Sequence, residues 1–161
     1  MPSLITLFKS TMYTRIPIYE NDSDNVIGIL NIKDLIVGDK KDETFSELVK
    51  IALRDVGNKL LLANQDSTSL ILPVQKVEES KFQLSFEREL TIFPDTLVKV
   101  VKESFQKANL PSHYQLEVKQ CKDLEVAYSF LQNANVEKSI VPCSGRNIPQ
   151  KCYTIEVRFL E

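Results

Sequence analysis

The sequence predicts an α+β fold, with a mixed or antiparallel sheet and two amphipathic helices behind a short helix-strand-strand segment. Three observations carry that reading. Phe45, Leu48, Val49, Ala52, Leu53, Val56, Leu60 and Ala63 recur at spacings of three and four, the apolar stripe of a helix of about five turns. Phe82, Leu84 and Phe86 alternate with Gln83 and Ser85, the period of a strand buried on one face. Helical and strand signals also come in blocks, without the strict strand-helix alternation of a parallel sheet.

The elements follow in order. Leu4, Ile5, Leu7, Phe8 and Met12 suggest a short helix. Arg15 to Tyr19 reads as extended, because Pro17 biases Ile16 away from the helical region. The polar residues 21–25 form a turn, since short Asn, Asp and Ser side chains bond their own backbone. Residues 26–32 are almost continuously apolar, as in a strand covered on both faces. Residues 38–44, charged and Gly-containing, read as a linker or loop.

The 45–63 helix then ends at the polar cluster 64–69. Strands are expected over 70–77 and 82–86, with a turn over 78–81. Pro94 and Asp95 mark the start of the second helix, Leu97, Val98, Val101, Phe105 and Ala108 form its apolar face, and Asn109-Leu110-Pro111 stops it. Further strands are expected over 115–120, 125–130 and 153–159.

Composition narrows the function. At 161 residues and 18.4 kDa the chain fits one domain with a short appendage. Residues 1–45 carry five basic and seven acidic residues and residues 46–161 fifteen of each, so the division is placed between 45 and 46. A formal charge of −2 argues against a nucleic-acid partner, which would favour a basic surplus. The single His113 removes most zinc sites and most histidine-dependent catalytic sites, so no catalytic residue, metal or cofactor is assigned. No apolar run approaches the roughly 20 residues of a membrane helix, so this chain is not expected to insert into a membrane. Its first residues show no basic region or apolar core of an export signal.

Two stretches look familiar. Residues Tyr13-Thr14-Arg15-Ile16-Pro17-Ile18-Tyr19-Glu20, then 24–30, then Ile32-Lys33-Asp34-Leu35, resemble the opening half of a CBS domain of the CorC/HlyC transporter-associated type. That family is tied to magnesium and cobalt transport, and paired CBS domains bind adenine nucleotides in their shared cleft. The resemblance implies that Thr14, Arg15, Ile16 and Pro17 would meet base and phosphate, and Asp34 the ribose. The family's Ser or Thr three residues before that Asp is Asn31 here, and the other half of the clamp is missing. Half a clamp cannot close on a nucleotide, so the simpler reading has Pro17 holding a turn and Asp34 a helix cap.

Asn64-Gln65-Asp66-Ser67-Thr68-Ser69, Phe93-Pro94-Asp95-Thr96-Leu97-Val98, Tyr114-Gln115-Leu116-Glu117-Val118, Glu125-Val126-Ala127-Tyr128-Ser129 and the stretches 140–146 and 152–155 are similar to the extracytoplasmic sensor region of bacterial two-component histidine kinases. The resemblance spans residues 46–161. It implies the periplasmic part of an inner-membrane protein, signalling by shifts of its first helix and last strand, with a homodimer seam along the 45–63 helix. His113 lies in a Pro-Ser-His-Tyr turn, unlike a phosphoacceptor motif.

If the segment is exported as that resemblance implies, Cys143 and Cys152 are a candidate disulfide, worth about 2–3 kcal/mol in the chain-entropy model. Cys121 could compete for either partner or stay buried, and in a reducing compartment all three would be thiols. A zinc site from the three Cys and His113 lacks the close CxxC spacing of structural sites, and cysteine catalysis with His113 as base has no more to support it. Ser67-Thr68-Ser69 with Asp66 reads as a capping turn before an anion site. Arg146 beside Gly145 reads as a solvated loop residue before a ligand contact. Glu78, Glu79, Glu87 and Glu89 read as solvated faces of a hairpin.

Overall fold

The structure, a computed structural model, describes residues 15–19, 26–142 and 145–160, without the side chains of residues 16, 19, 30 and 32–40. It divides into two compact units, Met1–Phe45 and Ser46–Glu161.

In the first unit β1 (Arg15–Tyr19) and β2 (Val26–Asn31) form an antiparallel ribbon with Arg15 opposite Asn31 and Tyr19 opposite Val26. Pro17, opposite Ile29, is tolerated because each strand of a two-stranded ribbon has one side free of ladder bonds. The short helix expected around Leu4 to Met12 and the turn at residues 21–25 lie outside the described residues.

The helix α1 (Ile32–Ala63) is longer than the apolar stripe suggested, and it replaces the linker expected over residues 38–44. Absence of apolar periodicity was a poor guide there. Lys and Glu are good helix formers wherever packing does not decide, and one Gly costs only about 1 kcal/mol against Ala. Further along, Gly57 permits a close approach: a Cβ there would lie 3.2 Å from Cδ1 of Ile71. The helix closes with paired capping bonds, Gln65 N to Leu62 O at 2.9 Å and Asp66 N to Leu61 O at 2.9 Å, with Gln65 left-handed at φ 57°.

The second unit continues with β3 (Gln75–Glu78), β4 (Lys81–Ser85), β5 (Leu90–Ile92), α2 (Pro94–Lys107), β6 (Tyr114–Gln120), β7 (Val126–Gln132), a 3-10 turn (Val136–Lys138), β8 (Ile148–Lys151) and β9 (Tyr153–Phe159). The fold is α+β. Five strands form one antiparallel sheet in the order β3-β4-β9-β6-β7, so the last strand in sequence lies at its centre. An isolated bridge between Ile71 and Phe86 extends the β3-β4 pairing toward residue 70. The expected strand over 70–77 is thus a bridge followed by a short strand. The separate pair β5-β8 was not anticipated. Its strands are three and four residues long, and Pro149 inside β8 is a residue that weakens any strand reading.

Alternation places Phe82, Leu84, Leu116, Val118, Ile155 and Val157 in a fully buried row on one face. Each such side chain contributes about 1.5–3 kcal/mol of burial. Helix α2 packs on that face: the Phe105 ring lies 4.9 Å from Tyr114 and stacks 5.6 Å from Phe159. Pro94 at its first turn needs no N–H partner, and Asn109 at φ 54° closes it by the same paired pattern, Leu110 N to Phe105 O and Asn109 N to Gln106 O. From α1, Val49, Ala52, Leu53, Val56 and Leu60 are buried. These five belong to the stripe read from the sequence, but Leu48, Phe45 and Ala63 do not share that burial.

Candidate functional site

The residues assigned by the CBS resemblance do not form a described cleft. Arg15 and Pro17 are exposed on β1, Ile16 lies opposite Leu30, Asp34 falls within α1, and Thr14 lies outside the described residues. The disulfide pairing is corrected. Cys152 is bonded to Cys121, with Cα atoms 5.4 Å apart and the two 31 positions apart in sequence, so it is not available to Cys143. The reason is register. Gln120 of β6 pairs with Tyr153 of β9, which sets Cys121 beside Cys152, and Cys121 N donates to Cys152 O at 3.0 Å. Cys143 lies outside the described residues.

The most differentiated site lies where α1 meets α2. A groove of about 310 Å³ is lined by Leu48, Ile51 and Ala52 on one helix and by Lys107 and Ala108 at the end of the other. At its polar end Ser104, almost fully buried, donates from Oγ to Asp55 Oδ2 at 2.7 Å and accepts from Lys59 Nζ at 3.3 Å. Lys59 Nζ in turn lies 2.8 Å from Asp55 Oδ2. Hydrogen bonds from Lys59 and Ser104 hold the Asp55 carboxyl below its ordinary range, outweighing its partial burial. Asp55 and Lys59, four apart on one helix, are a pair visible in sequence. Ser104 was missed, although a hydroxyl between Val101 and Phe105 on an apolar helix face is itself a sign of a buried polar contact.

A second cluster covers the opposite face of the sheet. Glu117 and Glu156 stand directly across from each other on β6 and β9, an unfavourable placement for like charges. Lys119 Nζ resolves it, lying 2.6 Å from Glu156 and 3.3 Å from Glu117, and Lys81 Nζ lies 3.0 Å from Glu156. Burial pushes the Glu156 carboxyl up, but the two ammonium groups prevail and hold it below its usual range. The bond to Glu156 likewise raises Lys119. A recess of about 300 Å³ opens here, bordered by these groups with Gln115 and Arg158. Arg158 is paired in turn with Glu78 at 3.2 Å, so each charge bordering the recess already has a partner in the sheet.

The turn after α1 behaves as a cap. Asp66 Oδ1 accepts from Thr68 N at 3.0 Å and Ser69 N at 2.9 Å, and Ser69 Oγ donates to Oδ2. Those backbone donors are therefore taken by Asp66 itself, not presented to an anion. Arg146 is exposed, while Gly145 N donates to Asp95 Oδ2 at 3.1 Å. Among the described residues no group of His, Cys, Asp and Glu could hold a metal, and no helix is long and apolar enough to cross a membrane. Set against known proteins, the chain matches no family model, no curated protein and no solved structure.

Proposed function

We propose that residues 46–161 are a non-catalytic sensory or regulatory domain of the kind found as the periplasmic input region of two-component histidine kinases, acting as a homodimer along α1. The observation that carries this reading is a second stripe on that helix. With Val49, Leu53, Val56 and Leu60 buried, Leu48, Ile51 and Leu62 remain 38%, 63% and 53% exposed, and together with Asp55 and Asn58 they recur at spacings of three and four. Such spacing suits a helix-helix seam. One helix thus presents one side to its own core and another to a mate. A change at the seam would move the buried side and, through the core, β9. The exposed disulfide fits an oxidising compartment.

Substituting Ile51→Cys tests the reading directly. A bismaleimide reagent should link two chains through that position, sedimentation should show a dimer, and Ile51→Lys should give a folded monomer. A chain that stays monomeric at all accessible concentrations, with no link through position 51, overturns it.

A second reading, a CBS-type regulatory fragment sensing adenine nucleotides, draws support from the ribbon-then-helix order of residues 15–63. Equilibrium dialysis against ATP and AMP decides it. Binding that is lost in Asp34→Ala would favour it, and no binding would remove it.

A further inference from the structure

We infer that the Cys121–Cys152 disulfide is a latch that low-molecular-weight thiols open in the folded protein, and that β8 is the element it controls. The inference is independent of the dimer proposed above.

Access is the first ground. Both cysteines are exposed, at the outer end of the β6-β9 ladder. The neighbouring core residue Tyr153 is 2% exposed, so the buried core begins immediately beyond the bond and does not include it. A thiolate can reach either sulfur without disturbing packed side chains.

The second ground is charge. Lys122 follows Cys121 and Lys151 precedes Cys152. Lys151 Nζ is held at this end of the sheet by Gln120 Oε1 at 3.3 Å. Cationic neighbours stabilise the thiolate that departs when the bond breaks, and a better leaving group speeds exchange.

Mechanics supply the third ground. Cys152 is the single residue between β8 and β9. On one side, β9 is paired along its length with both β4 and β6 and is largely buried. On the other, β8 is mostly exposed and among the described residues pairs only with β5, in an irregular register of Leu90 with Lys151 and Ile92 with Ile148. Tyr153 Oη also donates to Pro149 O at 2.6 Å. The disulfide therefore joins a strand that needs no help to one that has little else. Opening it removes a restraint from β8 and leaves the central ladder in place.

The chemistry balances with two equivalents of thiol. A thiolate attacks one cysteine sulfur, forming a mixed disulfide as the other cysteine leaves as thiolate. A second thiol attacks the mixed disulfide, releasing the oxidised small-molecule disulfide and leaving Cys121 and Cys152 as thiols.

The test treats the natural chain with excess reduced glutathione in native buffer. Alkylated cysteines are located by peptide mass spectrometry, and hydrogen exchange is followed in parallel. Expected are alkylation at both 121 and 152 without denaturant, and exchange over residues 148–151 faster by about tenfold or more and complete while residues 153–159 are still protected, as for a sub-global opening. The double variant C121S/C152S should show the same exchange pattern without glutathione. The inference is overturned if the bond resists glutathione until denaturant is added. It is equally overturned if the bond opens with no change over 148–151, or if residues 148–151 exchange only together with β9 and β4, with no separate local opening.

Discussion

The side chain of Asn64 is bonded to the backbone of Thr91 as a strand partner would be. Its Nδ2 donates to Thr91 O at 2.9 Å, and Thr91 N donates to its Oδ1 at 2.8 Å. The same Nδ2 also donates to Leu60 O at 2.9 Å, a carbonyl in the last turn of α1 that accepts the Asn64 backbone N as well, at 3.2 Å. One amide thus ties the end of a helix to the middle of β5, 27 positions away. Asn64→Ala should cost about 2 kcal/mol, since a part-buried donor and acceptor lose their partners. Asn64→Asp should cost more, because a carboxylate cannot donate to either carbonyl. Urea unfolding of the two variants checks the order; equal or negligible losses would contradict it.

The Lys119–Glu156 pair predicts a pH dependence. Glu156 has a folded pKa below its unfolded one, so its contribution is present above the ordinary carboxylate pKa and is lost as pH falls through the depressed value. For Lys119, raised on folding, the contribution holds below the ordinary lysine range and disappears as pH rises through the elevated value. Glu156→Gln should cost about 1–2 kcal/mol at neutral pH, because it leaves Lys81 and Lys119 facing each other half-buried. Its stability should also fall less on acidification than that of the natural chain. Glu117→Gln removes the like-charge neighbour along with one bond to Lys119, and should change stability by no more than about 0.5 kcal/mol. Unfolding curves at pH 3, 5 and 7 would distinguish the two.

Tyr114 carries a buried hydroxyl for which the described residues supply no hydrogen-bond partner, and burial pushes its phenol strongly upward. Its ring is held among Phe105, Phe130 and Phe159. Tyr114→Phe keeps the ring and removes the unpaired polar atom, so it should be neutral or stabilising by up to about 1 kcal/mol. A thermal shift downward by several degrees would show that the hydroxyl has a partner after all.

Replacing both Cys121 and Cys152 by Ser should lower global stability by about 3.5 kcal/mol, the chain-entropy value for a loop of this length. This acts on the unfolded chain and adds to the local loosening expected of β8. Cys143→Ser should leave the urea midpoint of the oxidised protein unchanged, since Cys143 is not in the bond. A large loss from C143S would point to exchange between the two pairings.

Much of the architecture was legible because it is encoded locally. Phe82, Leu84 and Phe86 declare a strand with one buried face, and Leu97, Val101 and Phe105 a helix with one buried side, whatever lies elsewhere in the chain. Pro94 and Asn109 mark that helix's limits by fixed or left-handed backbone alone. The Asp55–Lys59 pair of the α1-α2 groove is local in the same way, four apart on one helix, but nothing in the sequence marked it as part of a site. The hydroxyl that completes it comes from Ser104, 45 positions from Lys59, and nothing near Asp55 in sequence points to it.

By itself, then, the sequence determined the fold class, the two amphipathic helices, the alternating strands and the absence of a long apolar span. Tertiary structure decided which strands are neighbours, and with them everything that depends on neighbours. Periodicity states which face of an element is buried but not against what. Cys143 is nearer to Cys152 along the chain, yet the antiparallel register of β6 and β9 delivers Cys121 to it. That same register sets Glu117 against Glu156 and calls for Lys119 between them. The charged residues 38–44 carry no apolar periodicity, so no pattern marked them as the helix they form. Burial writes a period into the sequence; pairing at a distance does not.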